Sequence, residues 1–134
     1  MTNKKVLVVD DEIHIVHVVS LKLRNKGFEM ISAENGAEAY HLACEEMPDL
    51  IITDYQMPVM TGLEFLEKLR GNMETAAIPV IMLTARSHAV SREQRETLGI
   101  HYCLSKPFSP RELLSKVEDI LFQVQVSTGL LNEA

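Results

Sequence analysis

Long apolar runs are missing from this chain of 134 residues. None approaches the ~20 residues that a membrane-spanning helix needs, so no membrane association is expected. Basic charge is scarce as well. Thirteen Lys and Arg stand against nineteen Asp and Glu, a formal charge of −6. That balance argues against direct nucleic-acid binding, which calls for a basic face. Arg86, Arg92 and Arg95 gather locally, but three arginines on one expected helix read as a solvated face. Cysteine is limited to Cys44 and Cys103, far apart and without CxxC spacing, so two free thiols are expected rather than a disulfide or a metal site. His14 and His17 lack a third ligand nearby in sequence and are expected to face solvent. The opening MTNKKVLVVDDE carries only a four-residue apolar run before three acids, which is not the layout of a secretory signal; a cytoplasmic location is expected.

The composition is otherwise ordinary for a globular protein, with 46% hydrophobic and 24% charged residues. The length suits one domain with a real core. No repeat, low-complexity tract or composition shift divides it. We place the domain over residues 1–126 and read 127–134, with STGLLNEA at the end, as a tail or the stub of a linker.

Short apolar runs alternate with longer amphipathic ones. The short runs are VLVV (6–9), a weaker FEMIS (28–32), DLIIT (49–53), IPVIML (78–83) and HYCL (101–104). Three of them lack polar alternation, as befits parallel strands covered on both faces. Thr61 with Glu64, and Asn35 with Glu38, have capping-box spacing. Ser109, Pro110 and Glu112 supply an N-cap, a first-turn proline and an N3 acid, followed by the apolar stripe Leu113, Leu114, Val117, Leu121 and Val124. The segment from Glu12 to Lys26 mixes signals, but Ile15, Val19 and Leu23 recur every fourth residue and Gly27 can end a helix. Five βα units in succession predict an α/β fold, an open, doubly wound parallel sheet with helices on both faces.

Four of these strands hand over a polar residue at their carboxyl end. VLVV leads into Asp10, Asp11 and Glu12, DLIIT into Asp54, IPVIML into Thr84, and HYCL into Ser105 and Lys106. Singly, each could be a turn or a helix cap, and for Glu12 and Ser105 that is the plainer reading. Together they mark the sheet edge at which open α/β folds bind ligands. Carboxylates ~4 Å apart repel by roughly 1–4 kcal/mol per pair and stay ionised together only with a cation. Oxygen ligands of this kind suit Mg²⁺. A phosphoryl group arriving there would meet the metal and Lys106 as counter-charges, Thr84 as a hydrogen-bond donor and Asp54 as nucleophile.

With VLVVDDE, DLIITDYQMPVMTG, PVIMLTA and SKPF in order, residues 4 to 124 resemble the receiver domain of two-component response regulators. The resemblance implies a flavodoxin-like five-stranded sheet in the order 2-1-3-4-5. It implies that Asp54 takes a phosphoryl group from a phosphohistidine on a sensor histidine kinase or a histidine phosphotransfer protein. Asp11, Asp54 and the backbone carbonyl of Gln56 would ligate Mg²⁺, with Asp10 acting mainly through water, while Thr84 and Lys106 would hold the phosphoryl oxygens. Gln56 and Arg86 would border the path of the hydrolytic water. Met57, Pro58 and Gly62 would shape the loop after Asp54, Gly62 by adopting a backbone conformation that other residues resist. The output would pass to a downstream protein target or to an output domain missing from this sequence, and self-catalysed transfer and dephosphorylation would be its only chemistry.

Three other readings fit less well. A haloacid-dehalogenase-type phosphatase places a second Asp two residues after the nucleophile, where this chain has Gln56. A flavin carrier would present hydroxyls and N–H groups to a phosphate after the first strand, where this chain has Asp10, Asp11 and Glu12. A receiver-like scaffold that is never phosphorylated would not need the full polar set. One departure stands out. Receivers usually carry Tyr or Phe three residues before the lysine, and here that residue is Cys103. Tyr102, its neighbour in a strand, is expected to face the other way. A weaker or rerouted response at the face of the fourth helix, fifth strand and fifth helix follows from that reading.

Overall fold

The computed structural model describes residues 4–85 and 90–133, with side chains described as far as Leu121. Its elements alternate without exception: β1 (Lys5–Val9), α1 (Ile13–Arg24), β2 (Glu29–Ala33), α2 (Gly36–Glu46), β3 (Leu50–Asp54), α3 (Gly62–Gly71), β4 (Val80–Thr84), α4 (Arg92–Leu98), β5 (Ile100–Ser105) and α5 (Pro110–Glu133). The strands form one parallel sheet in the order β2-β1-β3-β4-β5, the flavodoxin-like arrangement expected. Order reverses between β1 and β3, which places the carboxyl ends of those two strands side by side.

The period of two along each strand sorts side chains onto the two faces. Leu7, Val9, Ile51, Val80 and Met82 pack with Ala39 and Ala43 of α2, Phe65, Leu66 and Leu69 of α3, and Leu98 of α4. Val6, Val8, Leu50, Ile52, Ile81 and Leu83 pack on the other face with Val19 and Leu23 of α1 and Leu113, Leu114, Val117 and Ile120 of α5. Covered on both faces, β3 and β4 are buried along their whole length. A sheet that cannot shift without exposing either core holds the residues at its carboxyl edge in fixed relation.

Helix ends follow the local chemistry. Thr61 and Glu64 form a complete capping box on α3. Asn35 accepts from the Glu38 N–H, but the Glu38 carboxylate accepts from the N–H of Glu34 rather than of Asn35. Ser91 and Gln94 make a second complete box on α4. Helix α4 therefore starts at Arg92. Helix α1 spans Ile13–Arg24, slightly less than the segment expected. Helix α5 continues through residues 127–133. No helix among the described residues is long and apolar enough to cross a membrane.

At β5 the register shifts between Val80 and Ile81, whose partners are Ile100 and Tyr102. His101 is the extra residue of this bulge, and the insertion changes which face the following side chains take. Cys103 consequently packs toward the α2–α4 core and Tyr102 toward the α1–α5 core, as expected for neighbours in a strand.

Candidate functional site

Strand ends β1, β3, β4 and β5 converge on one open cavity of about 640 Å³, lined by Asp11, Glu12, Asp54, Tyr55, Gln56, Thr84, Ala85 and Lys106. Asp10 lies beneath it with no exposed surface, and Asp54 and Thr84 are nearly as deep. Asp11 is exposed at the rim. Ligand oxygens of Asp10, Asp11 and Asp54 all lie within 4.8 Å of one another, a spacing that a single cation could bridge.

Lys106 enters from the end of β5, its backbone N–H donating to Thr84 O at 2.8 Å. That bond ties the β4 and β5 ends together and aims the side chain across the sheet edge. Its ammonium donates to Asp10 Oδ2 at 2.8 Å and to Glu12 Oε1 at 3.2 Å, and lies 3.2 Å from Asp54 Oδ1. Asp10 is held at its other oxygen by the Glu12 N–H at 2.9 Å. Asp54 Oδ1 accepts from the Tyr55 N–H, also at 2.9 Å.

The electrostatics follow from three carboxylates, Asp10, Glu12 and Asp54, sharing one ammonium. Burial, reinforced by the negative charge of Asp10, pushes Asp54 up to about 6 despite the pull of Lys106. Burial raises Asp10 too, with Lys106 opposing. Burial on its own would lower Lys106, but the hydrogen bond and charge of Asp10, then Asp54 and Glu12, carry it above its ordinary value. Lys106 is thus firmly cationic, and the carboxylates around it are left short of positive charge. The deficit, and an all-oxygen donor set, fit a hard divalent cation.

The loop after β3 is shaped by close approach. Gly62 N–H donates to Tyr55 O at 2.9 Å, and a Cβ on Gly62 would collide with the backbone carbonyl of Asp54. Gly62 has no positive φ, so the expected reason for glycine is corrected: the position needs space, not an unusual conformation. Met57 is buried against the α2–α4 core, and Val59 stands exposed with φ +73.

The structure brings together Asp10, Asp11, Asp54, Thr84, Lys106 and Gln56, all named from sequence. Arg86 lies outside the described residues. His14 and His17 are exposed, and Cys44 and Cys103 are free thiols. Burial raises the Cys103 thiol, although Arg95 pulls it down, so it is poorly ionised at neutral pH. Tyr102, facing away, carries the Lys116 ammonium 4.8 Å from its ring centroid. Two contributions escaped the sequence reading. One is the Tyr55 N–H, a backbone group with no side-chain signature. The other is the Glu12 carboxylate, whose only signal was its place directly after Asp10 and Asp11.

Comparison with known proteins agrees with this geometry. A profile of the response regulator receiver domain matches residues 6–118. The phosphate regulon transcriptional regulatory protein PhoB of Pseudomonas aeruginosa is 36% identical over 121 residues, covering 90% of this chain and 53% of that protein. The alkaline phosphatase synthesis transcriptional regulatory protein PhoP of Bacillus subtilis is 38% identical over 125 residues, 93% of this chain and 51% of that protein. The chain thus spans about half the length of these curated relatives. The chemotaxis response regulator CheY4 of Vibrio cholerae superposes with a TM-score of 0.82 at 37% identity, covering 89% of this chain and 99% of that one. Sheet order, site and relatives agree, and the chain belongs to the receiver-domain family of two-component response regulators.

Proposed function

We propose that Asp54 is the phosphoacceptor and that the donor is a phosphohistidine on a sensor kinase or phosphotransfer protein. The observation that carries this is the placement of a nearly buried carboxylate at the end of the central strand, 3.2 Å from the Lys106 ammonium. With Oδ1 engaged by Tyr55 and Lys106, we assign the attack to Oδ2. An O–P bond forms as the donor's P–N bond breaks, and the electron pair leaves with the imidazole nitrogen. Lys106 and the Thr84 hydroxyl would then hold the phosphoryl oxygens, neutralising charge that builds there during transfer.

The donor set suits Mg²⁺, which we assign to Asp11, Asp54 and the Gln56 carbonyl, with Asp10 contributing through water. When bound, the ion supplies positive charge to the phosphoryl oxygens. Asp54 and Asp10 would shed their raised protonation and remain anionic. The downstream recipient is a protein surface or an output domain, as the half-length match to two transcriptional regulators suggests. Self-dephosphorylation would use water admitted past Gln56.

The reading is tested by incubating the wild type and Asp11→Ala with acetyl phosphate over a Mg²⁺ titration and measuring phosphoprotein. Labelling should require Mg²⁺ and be lost in Asp11→Ala with the fold retained. Normal labelling of Asp11→Ala at limiting Mg²⁺ would overturn the metal assignment.

A further inference from the structure

Glu12 occupies the N-cap position of α1, yet its side chain makes no cap hydrogen bond. Its carboxylate turns the other way and accepts from Lys106 Nζ at 3.2 Å, while its own N–H holds Asp10 Oδ1 at 2.9 Å. Asp10 Oδ2 closes a ring by accepting from the same ammonium at 2.8 Å. An ammonium has three donors. Asp10 and Glu12 take hydrogen bonds from it, and Asp54 lies at ion-pair distance. A phosphoryl group on Asp54 would draw the ammonium beyond its present contact with Asp54 Oδ1, at the expense of the Asp10 or the Glu12 bond. Asp10 is fully buried and doubly bonded, which makes it the costliest to release. The Glu12 side chain is 49% exposed and can pass to water.

We infer that Glu12 is a positioning residue, a latch that holds the Lys106 ammonium on the α1 side of the cavity and yields it when Asp54 is phosphorylated. This rests on the proposal that Lys106 serves the phosphoryl group. The latch opposes the phosphorylated state by the strength of one half-exposed ion pair, so opening it should favour that state about two- to fivefold. Aspartate in its place keeps the charge but is one methylene too short to keep the contact.

The experiment measures beryllofluoride affinity at saturating Mg²⁺ for the wild type, Glu12→Gln, Glu12→Asp and, as a site control, Asp54→Asn. It also measures Mg²⁺ affinity alone and the ¹⁵N-correlated signal of the Lys106 ammonium. The latch predicts about two- to fivefold tighter beryllofluoride binding in both Glu12 variants, an altered Lys106 signal in both, and Mg²⁺ affinity within twofold of wild type in Glu12→Asp. Tighter binding by Glu12→Gln with wild-type behaviour of Glu12→Asp would reduce the effect to charge repulsion at the cavity mouth and overturn the latch. Unchanged or weaker binding in both variants overturns it as well. Failure of the wild type to bind beryllofluoride, or equal binding by Asp54→Asn, would instead refute the phosphoacceptor reading on which the latch depends.

Discussion

Replacing Asp54 by Asn should make the metal-free protein more stable, not less. Asp54 is 6% exposed, lies beside the fully buried Asp10, and is pushed up to about 6. That rise already includes the opposing attraction of Lys106 and the Tyr55 N–H. It corresponds to about 3 kcal/mol of unfavourable free energy for holding the ionised carboxylate in place at neutral pH. Asn keeps an oxygen for the Tyr55 N–H and Lys106 and carries no charge. Allowing for relaxation and water entry, the gain should be about 1–3 kcal/mol, or roughly 4 °C in Tm per kcal/mol for a domain of this size. The pH dependence has a definite sign. Because the folded state holds the proton more tightly, it binds more protons than the unfolded chain between about 4 and 6, so wild-type stability falls as pH rises through that window. The Asn variant lacks this loss, so the two proteins should converge near pH 4 and separate fully above pH 7. Urea unfolding in EDTA at several pH values measures the difference directly. An Asn variant less stable than wild type at pH 7.5 would show that pairing with Lys106 outweighs burial, and would refute the electrostatic account of the site.

Two more substitutions probe the loop after β3. Gly62→Ala should lower stability by about 1–3 kcal/mol and slow phosphorylation by acetyl phosphate, because its Cβ pushes on the Asp54 carbonyl; a variant with wild-type Tm and wild-type labelling would show that the loop yields freely. Val59→Asn should raise stability by about 1 kcal/mol, since a β-branched residue at φ +73 is strained and its 84% exposed side chain loses little packing. Thermal unfolding that shows no gain would mean that the loop relaxes around valine at no cost.

How much of this was legible in the sequence depended on burial. Strands β1, β3 and β4 announce themselves as unbroken apolar runs because helices cover both faces. Edge strand β2 is only partly buried, and FEMIS reads weakly for that reason. In β5 the bulge at His101 breaks the simple alternation. Helix α1 blurs its own period by exposing Ile13, Val18 and Leu21, which makes a single apolar stripe hard to pick out. The start of α4 was signalled by the spacing of Ser91 and Gln94, a capping pair that the sequence reading did not pick out. At the site, the polar residues stood out because each interrupts an apolar strand at the same end. What could not be read was the pairing of Lys106 with Glu12, 94 positions away, because the choice between capping α1 and bonding Lys106 is made only when the residues after β1 and β5 reach the same cavity.

The most direct test of the central claim is the intact mass of the wild type and Asp54→Asn after acetyl phosphate and Mg²⁺, followed by borohydride reduction and peptide mapping. Reduction converts an aspartyl phosphate to homoserine and so marks the acceptor. The account predicts one phosphoryl group on the wild type, homoserine at position 54 and nowhere else, and none on Asp54→Asn. Equal phosphoryl uptake by the variant, or homoserine at Asp10 or Asp11 in the wild type, would contradict it.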